Sequence, residues 1–154
     1  MTTAMTPTAN REIAYREAIN EAIRQEMERD ERVFVFGEDV AAYGGLEGVT
    51  RGLLSRFGTE RVFDTPISES GIAGLAVGAS LMGMRPVVEM QFTGLTTIAM
   101  DQIANSAAKA RYVHQGGLTV PMVVRTITLS CSRSAISVIS ERSILISPAG
   151  NCLM

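Results

Sequence analysis

VFVFGED, residues 33–39, is an apolar run that does not alternate and then breaks off in a glycine and two acids. A strand with one wet face alternates polar and apolar residues, whereas a strand covered on both faces does not. The run therefore predicts a central strand of a parallel sheet. Just before it, the segment from Tyr15 to about Arg29 carries Ala18, Ile19, Ala22, Ile23 and Met27, a stripe at helical spacing. After it, a loop with Gly44 and Gly45 leads into a short helix ending near Phe57, and Gly58 suits the position that follows a helix end. RVFDTPIS (Arg61–Ser68) reads as a second strand, followed by a helix from about Gly71 to Met82 with Ser70 as its N-cap. PVVEMQF (Pro86–Phe92) reads as a third strand, with a helix from about Thr96 to Tyr112 behind it. Gly116 and Gly117 close that unit, and VPMVVR (Val120–Arg125) reads as a fourth strand. This rhythm predicts an α/β fold: a parallel sheet flanked by helices, with right-handed crossovers.

Composition narrows the function classes. A chain of 154 residues is long enough to bury a real core. A net charge of -2 gives no electrostatic case for nucleic acid. No apolar run reaches the roughly 18 residues that a membrane span needs. MTTAMTPTAN, residues 1–10, has neither a basic stretch nor an apolar core and reads as a flexible N-terminus without a leader. Cys131 and Cys152 lack zinc-like spacing, and nothing points to an oxidising compartment. These features suggest a soluble, reduced, cytoplasmic protein.

Residues 11–126 form one α/β unit, and residues 127–154 change character. The latter hold seven serines against five in the first 126 residues, one glycine (Gly150) and three charged residues. AISVIS and SILIS are strand-like, but no helix follows to cover them. They read either as an edge hairpin capping a small domain or as a non-native tail of the kind a frameshift produces.

In open parallel sheets, ligands sit beyond the carboxyl ends of the strands. Glu38 and Asp39, Glu69, and Gln91 fall at such ends. Glu69 lies between Ser68 and Ser70, at the mouth of a helix rich in small residues: Gly71, Ala73, Gly74, Ala76, Gly78, Ala79 and Ser80. Small side chains let a backbone or a flat ligand come close. Spacing alone also permits a plainer role, because a carboxylate in a first helical turn is favoured by the helix dipole. The Gly74–Gly78 pair points to tight packing. No glycine-rich phosphate loop follows a strand. His114, the one histidine, sits at a helix end where it faces solvent or caps free carbonyls. Asp101, Lys109 and Arg111 read as a charged face or as polar contacts at an interface.

GEDV (37–40), DTPISESG (64–71), EMQF (89–92) and MDQIANSAAKARY (100–112), in this order and at these separations, make residues 11–126 closely similar to a known family. The chain resembles the β subunit of the E1 component of 2-oxo acid dehydrogenases (pyruvate, branched-chain 2-oxo acid and acetoin types). The matching part is most of the N-terminal pyrimidine-binding domain, which has a transketolase-like fold. The resemblance implies thiamine diphosphate as cofactor, with Glu69 hydrogen-bonding N1′ of its aminopyrimidine. A carboxyl in an apolar site can hold or share the required proton. The cofactor then acts as electron sink for loss of carbon dioxide from a 2-oxo acid, with acyl transfer to lipoamide. The same carry-over puts the Ile67 backbone near the ring and Gln91 near the cofactor. Leu95 occupies the position of an aromatic residue that packs on the ring, so stacking gives way to apolar contact. It also implies a heterotetramer with an E1 α subunit that holds Mg2+ and shares the cofactor, a second β subunit, and a lipoyl-bearing E2 component. No metal is expected on this chain.

The family pattern stops at Thr126. The glycine-rich loop and catalytic histidine that follow in the family are not recognisable in residues 127–154, and His114 lies before them. Next to the resemblance, a truncated or frameshifted product becomes the better reading of this tail, and the short form is expected to be inactive. The alternative is a non-catalytic cofactor-binding or subunit-assembly module.

Overall fold

The computed structural model describes residues 12–127 and the backbone of two further strands, Ser137–Ser140 and Ser143–Ile146. Residues 1–11 and the rest of the tail lie outside the described residues. Helix α1 (Tyr15–Arg29) leads into β1 (Val33–Gly37), then α2 (Leu53–Phe57), β2 (Val62–Asp64), α3 (Glu69–Leu81), β3 (Arg85–Phe92), α4 (Ala108–Val113) and β4 (Val123–Ile127). The four strands form one sheet in the order β2-β1-β3-β4, every pair parallel. β5 (Ser137–Ser140) and β6 (Ser143–Ile146) form a separate antiparallel pair within the two serine-rich runs.

The absence of alternation in β1 has the expected cause. Phe34 and Phe36 point into a core shared with Val88, Met90, Val124 and the Ile72, Ala73, Ala76 and Val77 face of α3. Val33 and Val35 point the other way, into a core with Ile23 and Met27 of α1, Val62 and Leu53. All five residues of β1 are buried. Phe34, Phe36 and Phe63 stack in sequence, with ring centroids 5.2 and 5.4 Å apart. Arg61 fastens the junction of α1 and β1. Its guanidinium donates to the carbonyls of Met27, Asp30 and Val33 at 2.6–3.0 Å and lies over the Phe57 ring.

Several element boundaries differ from the sequence reading, each for a local reason. β1 ends at Gly37 and not Asp39, because Gly37 adopts φ +144° and turns the chain away. A Cβ on Gly37 would stand 2.3 Å from the Glu89 carbonyl oxygen, so only glycine fits. β2 stops at Asp64 and not Ser68, with Pro66 unable to donate to a ladder. α3 begins at Glu69, not Gly71, with Ser68 in the N-cap position; the Ser70 hydroxyl donates instead to the Ile98 carbonyl at 2.7 Å. The single helix expected over 96–112 is broken into a 3₁₀ stretch (Thr93–Thr97), a π-helical stretch (Asp101–Ala107) and α4. Thr96 and Thr97 hydroxyls donate to the carbonyls of Thr93 and Gly94, holding the tighter turn. β4 starts at Val123, after Pro121 and a Met122 amide that turns back to Val120.

Candidate functional site

The carboxyl ends of β1, β2 and β3 meet at one edge of the sheet, and the polar residues singled out by spacing gather there. Glu38 follows the Gly37 turn, Glu69 opens α3 just beyond β2, and Gln91 lies near the end of β3. Glu69 is 7% exposed and Glu38 5% exposed, both deep for carboxylates. Glu38 Oε1 is buried with no hydrogen-bond partner. Burial pushes the Glu38 carboxyl above its ordinary range, and the charges of Glu69 and Asp39 push it the same way. Among the described residues neither acid forms an ion pair, and the arrangement disfavours the charged form of Glu38.

The loop from Glu38 to Arg51 is tied down on every side. Asp39, at φ +58°, accepts from Gln91 Nε2 at 2.9 Å, and its carbonyl accepts from the Gly45 amide. The Asp64 carboxylate spans the Ala41 and Ala42 amides at 2.7 and 3.0 Å. Thr50 Oγ1 donates to the Val40 carbonyl, and Asn20 of α1 donates to the carbonyls of Val49 and Arg51. From the sheet, Glu89 and Arg125 grip the backbone of Leu46.

The other site candidates are spread around this edge. Ile67 is 80% exposed in the turn before α3. Leu95 is half-buried in the 3₁₀ stretch after β3. The tight packing expected of the Gly74–Gly78 pair is not seen: a Cβ on Gly74 would make ordinary contact with the Gln102 side chain at 3.6 Å, and one on Gly78 would meet nothing within 4 Å. His114 is the exposed C-cap of α4. Asp101 and Lys109 form an exposed chain through Asn105. Among the described residues, no group of three or more His, Cys, Asp or Glu side chains could hold a metal ion. Among them also, no helix is long and apolar enough to cross a membrane.

Two features escaped the sequence reading. Glu38 was one of four polar strand ends, with nothing to say that its carboxyl turns inward beside Glu69. The Glu89–Arg125 pair left a clearer signal: Glu89 interrupts the middle of β3 and Arg125 the middle of β4, and buried charges of opposite sign on neighbouring strands require each other.

The family model for the transketolase pyrimidine binding domain matches residues 11–130, well over half of the chain. The chain belongs to that family. It is 50% identical over 124 residues to the pyruvate dehydrogenase E1 component subunit beta of Rickettsia bellii, covering 80% of this chain and 38% of the relative. To the 2-oxoisovalerate dehydrogenase subunit beta of Bacillus subtilis it is 51% identical over 113 residues, covering 73% of this chain and 35% of the relative. The human mitochondrial pyruvate dehydrogenase E1 component subunit beta is 47% identical over 120 residues, covering 78% of this chain and 33% of the relative. The chain thus spans little more than a third of the length of these curated relatives. Among solved structures, a split-gene transketolase described as an inactive β4 tetramer aligns with TM-score 0.53 at 22% identity, over 76% of this chain and 34% of that one. That likeness shows the fold.

Proposed function

We propose that this chain is the pyrimidine-binding part of a 2-oxo acid dehydrogenase E1 β subunit, and that Glu69 is its contact with the aminopyrimidine of thiamine diphosphate. The observation that carries the reading is the buried pair of Glu69 and Glu38, with the unpartnered Glu38 Oε1. A protonatable ring nitrogen is the kind of group such a pair fits. Burial and the neighbouring negative charge disfavour the charged form of Glu38, and Glu69 stands at the opening of α3 as the contact to the ring. Ile67, Gln91 and Leu95 surround the same edge: Ile67 offers backbone in the exposed turn, Leu95 an apolar surface, and Gln91 fixes the Asp39 end of the loop. When bound, the cofactor supplies the electron sink for decarboxylation of a 2-oxo acid. The residues of this chain hold the pyrimidine end and bury the two acids beside it. An α subunit would hold the diphosphate and Mg2+, and a second β subunit and a lipoyl-bearing E2 component would complete the assembly.

A second reading has its own support. The one histidine of the sequence, His114, is exposed at the C-cap of α4, which favours a cofactor-binding or subunit-assembly module. Titration with thiamine diphosphate, followed at the Glu69 and Glu38 amide resonances, tests the binding that both readings share. Saturable shifts there support it; their absence, with or without an α subunit present, contradicts it.

A further inference from the structure

Glu89 of β3 and Arg125 of β4 stand directly opposite each other in the parallel register, and both side chains are 3% exposed. Their ion pair runs from Arg125 Nη1 to Glu89 Oε1. The same Glu89 oxygen accepts from the Leu46 amide at 3.2 Å, and Arg125 Nη2 donates to the Leu46 carbonyl at 3.2 Å. Both backbone polar groups of one loop residue are therefore held by one pair of sheet side chains. The grip lies where the β3–β4 register shifts, between Glu89 and Phe92.

A buried ion pair is a poor way to fill a core, since desolvation commonly offsets the attraction and apolar replacements are often as stable. Here the mismatch is visible: Arg125 Nε is buried without a partner, and burial raises the Glu89 carboxyl even beside a guanidinium. An apolar pair could occupy the volume, but it could not bond the Leu46 amide and carbonyl. Leu46 lies in the loop that begins with Glu38, whose turn is closed by the Gly45 amide on the Asp39 carbonyl and the Thr50 amide on the Gly44 carbonyl, each at 2.8 Å. We propose that Glu89 and Arg125 are positioning residues: by clamping Leu46 they hold the 38–51 loop in the one form that turns Glu38 inward beside Glu69. The role in cofactor binding rests on the function proposed above, whereas the clamp itself does not.

The test uses the chain with Glu89→Met and Arg125→Leu combined, an apolar pair of similar volume. The expected result is an unchanged or higher urea midpoint, with hydrogen exchange at the Leu46, Gly45 and Thr50 amides at least ten-fold faster and thiamine diphosphate binding at least ten-fold weaker. A stable double variant with wild-type exchange at these amides would overturn the proposal. Should that variant fail to fold, Arg125→Lys gives the same test, because lysine keeps the charge but lacks the fork that reaches both Glu89 and Leu46. Faster exchange at Gly45 and Thr50 is expected, and wild-type exchange again overturns the clamp. Faster loop exchange with undiminished thiamine diphosphate binding would remove the loop from the cofactor site and overturn the positioning role. A wild-type chain that binds no thiamine diphosphate would sink the proposed function alone, leaving the exchange rates to decide the clamp.

Discussion

Glu38 and Glu69 reach the same edge of the sheet from different strands, and neither has an arginine or lysine to balance it among the contacts described. The raised pKa of Glu38 means that the folded protein binds a proton more tightly there than the unfolded chain does. The folded state holds this advantage at low pH and loses it as pH rises through the folded pKa, so Glu38 lowers stability toward neutrality. Glu38→Gln, which keeps the shape without the charge, should therefore raise the urea midpoint at pH 7 and flatten the fall in stability as pH rises above the ordinary carboxylate range. A wild-type pH profile in the variant would show that this carboxyl is not held protonated. Gly37 carries the complementary prediction. Its φ of +144° and the Glu89 carbonyl oxygen 2.3 Å from any added Cβ leave alanine no place. Gly37→Ala should cost about 3 kcal/mol or more in urea unfolding. The presence of an acid at the end of β1 was legible in the sequence. Its inward turn was not, because it depends on the backbone of Gly37 and on contacts made by residues far along the chain.

At the scale of elements, the reading from VFVFGED succeeded because burial on both faces leaves its mark in one short run. The four parallel strands, α1 and the α3 segment follow from that and from helical spacing. Periodicity failed over 96–112, where Ala, Ser, Asn and Thr carry too little apolar signal to separate 3₁₀, π and α turns. Threonine hydroxyls and packing against α3 decide the outcome there. The strand ends failed for a similar reason, since Pro66, Pro121 and Gly37 terminate ladders by local geometry. Arg61 shows what such geometry contributes. Its hydrogen bonds to Met27, Asp30 and Val33 saturate carbonyls at the α1–β1 junction. Arg61→Ala should destabilise the fold by about 2 kcal/mol, and Arg61→Lys should recover only part of that, because one ammonium cannot span the same three carbonyls. Equal stability of the alanine variant and the wild type would remove this junction from the account.

At the scale of the molecule, the sheet brings Glu38, Glu69 and Gln91 to one edge, while α4 leaves His114 at an exposed end. Under the proposed function, such a chain would hold the pyrimidine without supplying a histidine at that edge. Mixed with a matching α subunit, thiamine diphosphate and a 2-oxo acid, it should show little or no decarboxylation, and turnover near that of a full-length β subunit would contradict that. The family assignment and the buried acids support the pyrimidine contact independently of turnover. The most direct measurement is thiamine diphosphate titration of the wild-type chain and of Glu69→Gln, followed by amide resonances, with urea midpoints taken alongside. The account predicts equal fold stability within about 1 kcal/mol and at least a ten-fold loss of binding in the variant. Undiminished binding by a well-folded Glu69→Gln chain would contradict the central claim.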